Sequence, residues 1–147
     1  MKLHHTLVAL SAALLFAACD DDNNYDSAKP EIMILSPEDD SHFHAGESFE
    51  LEALIRDNEE LASWKIDIHF NPNGHVHKSA STEAELEWQY SLNGNIEPGL
   101  QSFTLKQTIS IPVDTKHGDY HLGVYALDKS GNETVVFQEF EVTDAGH

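Results

Sequence analysis

After residue 30, apolar side chains recur at every second position in short runs, and turn-forming residues separate one run from the next. A helix buries positions about 3.6 residues apart, so alternation commits each run to an extended strand with one face toward a core and the other toward solvent. Strands are expected at residues 31–35, 48–56, 63–70, 83–90, 102–111, 119–127 and 134–142. Ser36-Pro37, Asn71-Pro72-Asn73-Gly74, Asn93-Gly94, Pro98-Gly99 and Ser130-Gly131-Asn132 punctuate them. No helix-period run of comparable length competes. The expected fold is all-β, an immunoglobulin-like β-sandwich of about seven strands.

The same alternation assigns faces. Phe49, Leu51, Ala53 and Ile55 point inward from one strand, and Trp64, Ile66, Ile68 and Phe70 from the next, leaving Lys65, Asp67 and His69 outside. Tyr120, Leu122, Val124 and Ala126 point inward from the 119–127 strand, with His121, Gly123 and Tyr125 outward. Trp64 opens its strand, and Tyr120 stands where such sandwiches place a corner tyrosine. Trp88 and Tyr90 read as core rather than as a glycan platform.

The first 18 residues are addressing rather than fold. Lys2 precedes an apolar run from Leu7 to Ala18 that is too short for a permanent membrane helix and has the form of a secretory signal peptide. Leu15-Phe16-Ala17-Ala18-Cys19 resembles a bacterial lipobox, which would make Cys19 the lipidated first residue of the mature chain. Lipidation also accounts for the chain's single cysteine, which can form no internal disulfide. Residues 19–30, opening with Asp20-Asp21-Asp22, have almost nothing to bury and are expected to be a disordered acidic tether. Three consecutive aspartates after the cysteine resemble the surface-export signal of Bacteroidota-type lipoproteins, so an outer-membrane location is expected, and residues 31–147 form the single domain. Against 8 Lys+Arg stand 26 Asp+Glu, a formal charge of -18. Such a surface repels phosphate backbones, which excludes nucleic acid as a partner, and concentrates cations around itself.

Seven histidines gather at one end of the expected sandwich. His42 and His44 fall in the connection after the first strand, His69 ends the 63–70 strand, and His75 and His77 follow it. His117 precedes the 119–127 strand and His121 begins it, while His147 ends the chain apart from the rest. The 63–70 and 119–127 strands are neighbours in this fold, so outward His69 and His121 are expected about one strand spacing, 4.8 Å, apart. His69, His75, His77 and His121 are therefore the candidate metal ligands, for a Zn or Cu ion. Asp67, His42, His44, His117 and Asp119 are candidates for additional ligands or for carboxylates that orient the imidazoles. The competing reading is that the histidine pole is a protein or glycan contact surface whose charge responds to pH. At the other end, Asp57-Asn58-Glu59-Glu60 and Asp128, Ser130 and Asn132 offer oxygens to calcium, although Asp128-Lys129-Ser130-Gly131-Asn132 also reads as ordinary turn chemistry.

No EF-hand loop, phosphate loop, His-Glu-x-x-His helix or Gly-x-Ser-x-Gly elbow occurs, and no general base stands out beside the histidines, so a non-enzymatic role is expected. Lys29-Pro30 through Asp57-Asn58, Lys65-Ile66-Asp67-Ile68-His69 with Gly74-His75-Val76-His77, Ile109-Ser110-Ile111-Pro112, and Gly118-Asp119-Tyr120-His121 together resemble an Ig-like lipoprotein family of Bacteroidota, a domain of unknown function. That resemblance spans nearly the whole mature chain and implies fold and location, with no activity attached. The sequence thus points to a lipid-anchored, Ig-like metal-binding protein of the outer membrane that captures or buffers zinc or copper for a transporter or other surface protein. The alternative is a structural or adhesion module.

Overall fold

The computed structural model describes residues 25–73 and 86–143. Its strands are β1 (Glu31–Ser36), β2 (Ser41–His44), β3 (Ser48–Arg56), β4 (Leu61–Phe70), β5 (Tyr90–Asn95), β6 (Ser102–Ser110), β7 (Gly118–Asp128) and β8 (Glu133–Thr143). They form a three-stranded sheet, β1-β3-β6, and a five-stranded sheet, β2-β8-β7-β4-β5. All pairings are antiparallel except β2 with β8. The fold is a β-sandwich, as alternation required.

The core lies between the sheets. Leu51, Ala53 and Ile55 of β3, Leu105 and Ile109 of β6, Ile66 and Ile68 of β4, and Tyr120, Leu122 and Val124 of β7 are buried together with Phe140 and Val142 of β8. Tyr120 is 0% exposed. Its ring stacks on Phe140 at 5.6 Å and meets Phe70 edge-on at 5.5 Å. Its hydroxyl donates to the main-chain oxygen of Lys116 at 2.8 Å, which is the corner bond expected of this tyrosine. Trp88 is in the core as expected, and Trp64 packs against the core but is only partly buried.

Two strand expectations are corrected. Of the strand expected at residues 83–90, residues 83–85 lie outside the described residues; among the described ones Leu86 makes an isolated bridge to Thr115, and the regular strand is β5, beginning at Tyr90, which pairs with β4 through Asn93 and Gly94. Trp88 and Tyr90 pack in or against the core, whereas Leu86 is 60% exposed although its backbone bonds to Asp114 and Lys116, so alternation alone did not define a strand here. The expected turn at Asn93-Gly94 is therefore a strand interior. Glycine serves there because a Cβ at position 94 would lie 2.7 Å from Cζ2 of the Trp64 indole. The chain reverses instead at Pro98-Gly99, where Gly99 has a φ of 88°.

The connection expected around His42 and His44 contains β2, an eighth strand on the edge of the larger sheet. It is recruited by Phe43, whose ring stacks on Phe49 at 4.6 Å. Four residues are too few for their alternation to stand out in a sequence. Of the expected tether, residues 25–30 are described. They lie against the sandwich rather than free of it, with the Tyr25 hydroxyl donating to the Ser130 carbonyl at 2.6 Å. The signal segment, Cys19, His75, His77 and His147 lie outside the described residues.

Candidate metal centre

β4 and β7 run antiparallel with His69 directly opposite His121. Both side chains point to the outer face because Ile68, Phe70, Tyr120 and Leu122 on either side of them point to the core. The rings meet nearly at right angles, 5.3 Å between centroids, and Nε2 of His69 lies 3.4 Å from Nδ1 of His121. The expected juxtaposition is present.

Each ring is held by its far nitrogen. His69 Nδ1 is 3.2 Å from Oδ2 of Asp67, whose other oxygen pairs with the Lys65 ammonium at 3.1 Å. His121 Nε2 is 3.0 Å from Oε1 of Glu139, which faces it across the β7–β8 ladder. Asn71 is buried, and its Nδ2 donates to the same Glu139 oxygen at 3.2 Å. Ionised carboxylates only accept, so these contacts place a proton on Nδ1 of His69 and on Nε2 of His121. In neutral imidazoles the two nitrogens that face each other then both carry bare lone pairs.

Two lone pairs in contact repel unless a cation lies between them. A proton meets that need by converting one ring to imidazolium; a metal ion meets it by accepting both. Nitrogens on a tetrahedral zinc with bonds of about 2.0 to 2.1 Å are roughly 3.3 to 3.4 Å apart, the separation seen here. The carboxylate on each remote N–H is the arrangement that orients histidine ligands and raises their basicity. The side chains of His69 and His121 are 41% and 32% exposed, so the pair is open to solution. A shallow cleft lined by Asp67, His69, Gln89, Tyr90 and Ser91 flanks it on the β5 side.

The other expected residues are distributed as follows. Asp67 orients His69. Asp119 pairs in register with Glu141, one row further along the sheet, and its main-chain oxygen accepts from the Asn71 amide at 2.8 Å. His42 Nδ1 is engaged by Glu141 at 2.9 Å, and His44 Nδ1 by the Thr143 hydroxyl at 2.9 Å. Both histidines stand on β2, two strand spacings or about 9.6 Å from β7, beyond reach of an ion shared with His121. His117 is half-buried in the connection before β7. His75 and His77 follow β4 outside the described residues.

Glu139 and Asn71 escaped the sequence reading. Glu139 was accessible in principle: a hairpin turning at residues 129–132 pairs Leu127 with Glu133 and, six residues along, His121 with Glu139. Asn71 carried no such signal, since its side chain reaches Glu139 across the intervening β7.

The profile of DUF4625, a domain of unknown function, matches residues 17–143. No curated protein matches the chain. Among solved structures, a DUF4466 family protein from Parabacteroides merdae superposes with a TM-score of 0.52 at 11% identity, over 78% of this chain and 44% of that one. The sporulation control protein Spo0M from Bacillus subtilis gives a TM-score of 0.44 at 10% identity, over 80% of this chain and 49% of that one. This chain thus spans less than half the length of either, and the first likeness is one of fold alone.

Proposed function

The chain belongs to the DUF4625 family, and we propose that it is a lipid-anchored, outer-membrane metal-binding protein that captures or buffers zinc or copper for a transport partner. The observation that carries this reading is the pair of imidazole nitrogens of His69 and His121, 3.4 Å apart, with both remote nitrogens on carboxylates. Two ligands leave further positions on the ion, and His75 and His77 are the histidines assigned to them from the sequence. A centre whose two imidazoles are 41% and 32% exposed suits an ion that is taken up and passed on. Anchoring rests on the lipobox at Cys19, a residue inside the segment matched by the family profile.

Calorimetric titration of the chelator-stripped protein with zinc and with Cu²⁺ tests the proposal. One ion should bind per chain, and His69→Ala or His121→Ala should each weaken binding at least tenfold, while His44→Ala leaves it unchanged. In cells, Cys19→Ser should move the protein out of the membrane fraction. Equal affinity in all three histidine variants would remove the centre.

A contact surface with pH-dependent charge is the second reading. It is favoured by Phe137, which is 50% exposed and stands 6.2 Å from the His121 ring. Absence of zinc and copper binding by the wild-type protein would favour it.

A further inference from the structure

We propose that Asp26, Asp57 and Asp128 form a calcium site at the end of the sandwich opposite the histidines. Asp26 belongs to the stretch before β1, Asp57 follows the last residue of β3, and Asp128 is the last residue of β7. One carboxylate oxygen from each lies within 4.8 Å of the other two. Oxygens bound to one calcium ion at about 2.4 Å can be separated by up to roughly 4.8 Å, so all three fit a single ion.

Acidic residues clustered at a surface need no ion, since water solvates them. These are not of that kind. Asp26 is only 9% exposed and Asp128 only 2%. Oδ2 of Asp26 and Oδ1 of Asp57 are buried with no hydrogen-bond partner among the described residues. No Lys, Arg or His pairs with any of the three among those residues. Asp57 is part-buried beside them, and carboxylates of like charge so enclosed, with orphaned oxygens and no cation among the described residues, are unfavourable unless a positive charge joins them. Burial raises the Asp57 pKa, repulsion from Asp128 and Asp26 adds to it, and the backbone N–H groups of Glu59 and Asn58 partly oppose it.

The neighbouring hydrogen bonds hold the carboxylates in place. Asn58 Nδ2 donates to Oδ1 of Asp26 at 3.1 Å, and the Asn132 amide group donates both to the Asp26 carbonyl at 3.0 Å and to Oδ2 of Asp128 at 2.6 Å. The Asn132 backbone N–H donates to Oδ1 of Asp128 at 2.7 Å. Every ligand is a hard oxygen, which selects calcium over the softer ions suited to imidazole. The ion would tie the segment before β1 to the turns after β3 and β7. It would thereby fix where the sandwich stands on its tether.

The full chain, purified in detergent and stripped with EDTA, is titrated with CaCl₂ by calorimetry, and its melting temperature is read with and without calcium. One calcium should bind per chain and raise the melting temperature, and equimolar MgCl₂ should do much less. Asp26→Asn and Asp57→Asn should each weaken calcium binding at least tenfold, whereas His69→Ala should not change it. In EDTA, Asp57→Asn should melt at or above the wild-type temperature, because it removes repulsion; a merely misfolded variant would melt lower. Terbium luminescence sensitised by Tyr25, and quenched by added calcium, provides a readout on the unsubstituted protein. No calcium-dependent heat and no terbium signal in wild type would overturn the site, as would full calcium affinity in the Asp26→Asn, Asp57→Asn double variant. An equal response to magnesium would overturn its assignment to calcium.

Discussion

The hydroxyl of Tyr120 and the main-chain oxygen of Lys116 are 2.8 Å apart, so the residue that fills the centre of the core also pins the connection leading into β7. His121 is the next residue, and its position on the outer face follows from that of Tyr120. Removal of the hydroxyl by Tyr120→Phe leaves the ring packing intact and the Lys116 carbonyl without this donor. The expected cost is about 1 to 3 kcal/mol. Urea denaturation should show a lower midpoint at an unchanged slope.

Gly94 and Gly123 should respond differently to alanine. A Cβ at 94 would meet the Trp64 indole at 2.7 Å, and one at 123 would meet Cε1 of Phe137 at 2.7 Å. The Trp64 ring is packed against the core and has little room to give, so Gly94→Ala should destabilise by about 1 to 3 kcal/mol. Phe137 is half exposed and can swing outward, so Gly123→Ala should change stability by less than about 1 kcal/mol. Thermal melts of the two variants side by side decide whether this difference holds.

If Asp67 and Glu139 fix the tautomers of His69 and His121, they matter to metal affinity without touching the ion. Asp67→Ala and Glu139→Ala should each weaken zinc binding about 10- to 100-fold. Glu141→Ala, which removes only the partner of His42, should leave it unchanged. Protons compete with metal for the same lone pairs, so zinc affinity should also fall on acidification. Calorimetry at two pH values on these three variants checks both statements.

Asp57 makes the stability of the calcium-free protein depend on pH in a definite direction. Its folded pKa is raised above the ordinary value of 3.8, first by burial and then by Asp128 and Asp26. A raised acid binds its proton more tightly in the folded state, so its contribution is fully present below 3.8 and is lost as pH rises through the folded value. In EDTA, wild type should therefore lose stability relative to Asp57→Asn as pH rises from about 4 toward neutrality. A constant difference across that range would contradict the assignment.

What the sequence determined by itself was local. The direction of each side chain in an extended strand follows from a two-residue period, so the inward rows of β3, β4 and β7, the outward positions of His69 and His121, and the corner role of Tyr120 were all legible before any contact was known. What only the tertiary structure decided was which backbones pair and in what register. Alternation suggested a strand through Leu86 and Trp88, yet Leu86 is exposed and only Trp88 reaches the core, while Asn93-Gly94 carried turn chemistry yet sits inside β5 beneath Trp64. His42 and His44 share a histidine-rich stretch of sequence with nothing local to say that β2 joins the far edge of the sheet, where Glu141 and Thr143 engage them. The convergence of Asp26 with Asp57 and Asp128 joins residues 31 and 102 positions apart along the chain. Such distances are closed by burial of the common core, a collective property that no local pattern carries, and the chemistry at both ends of the sandwich depends on them.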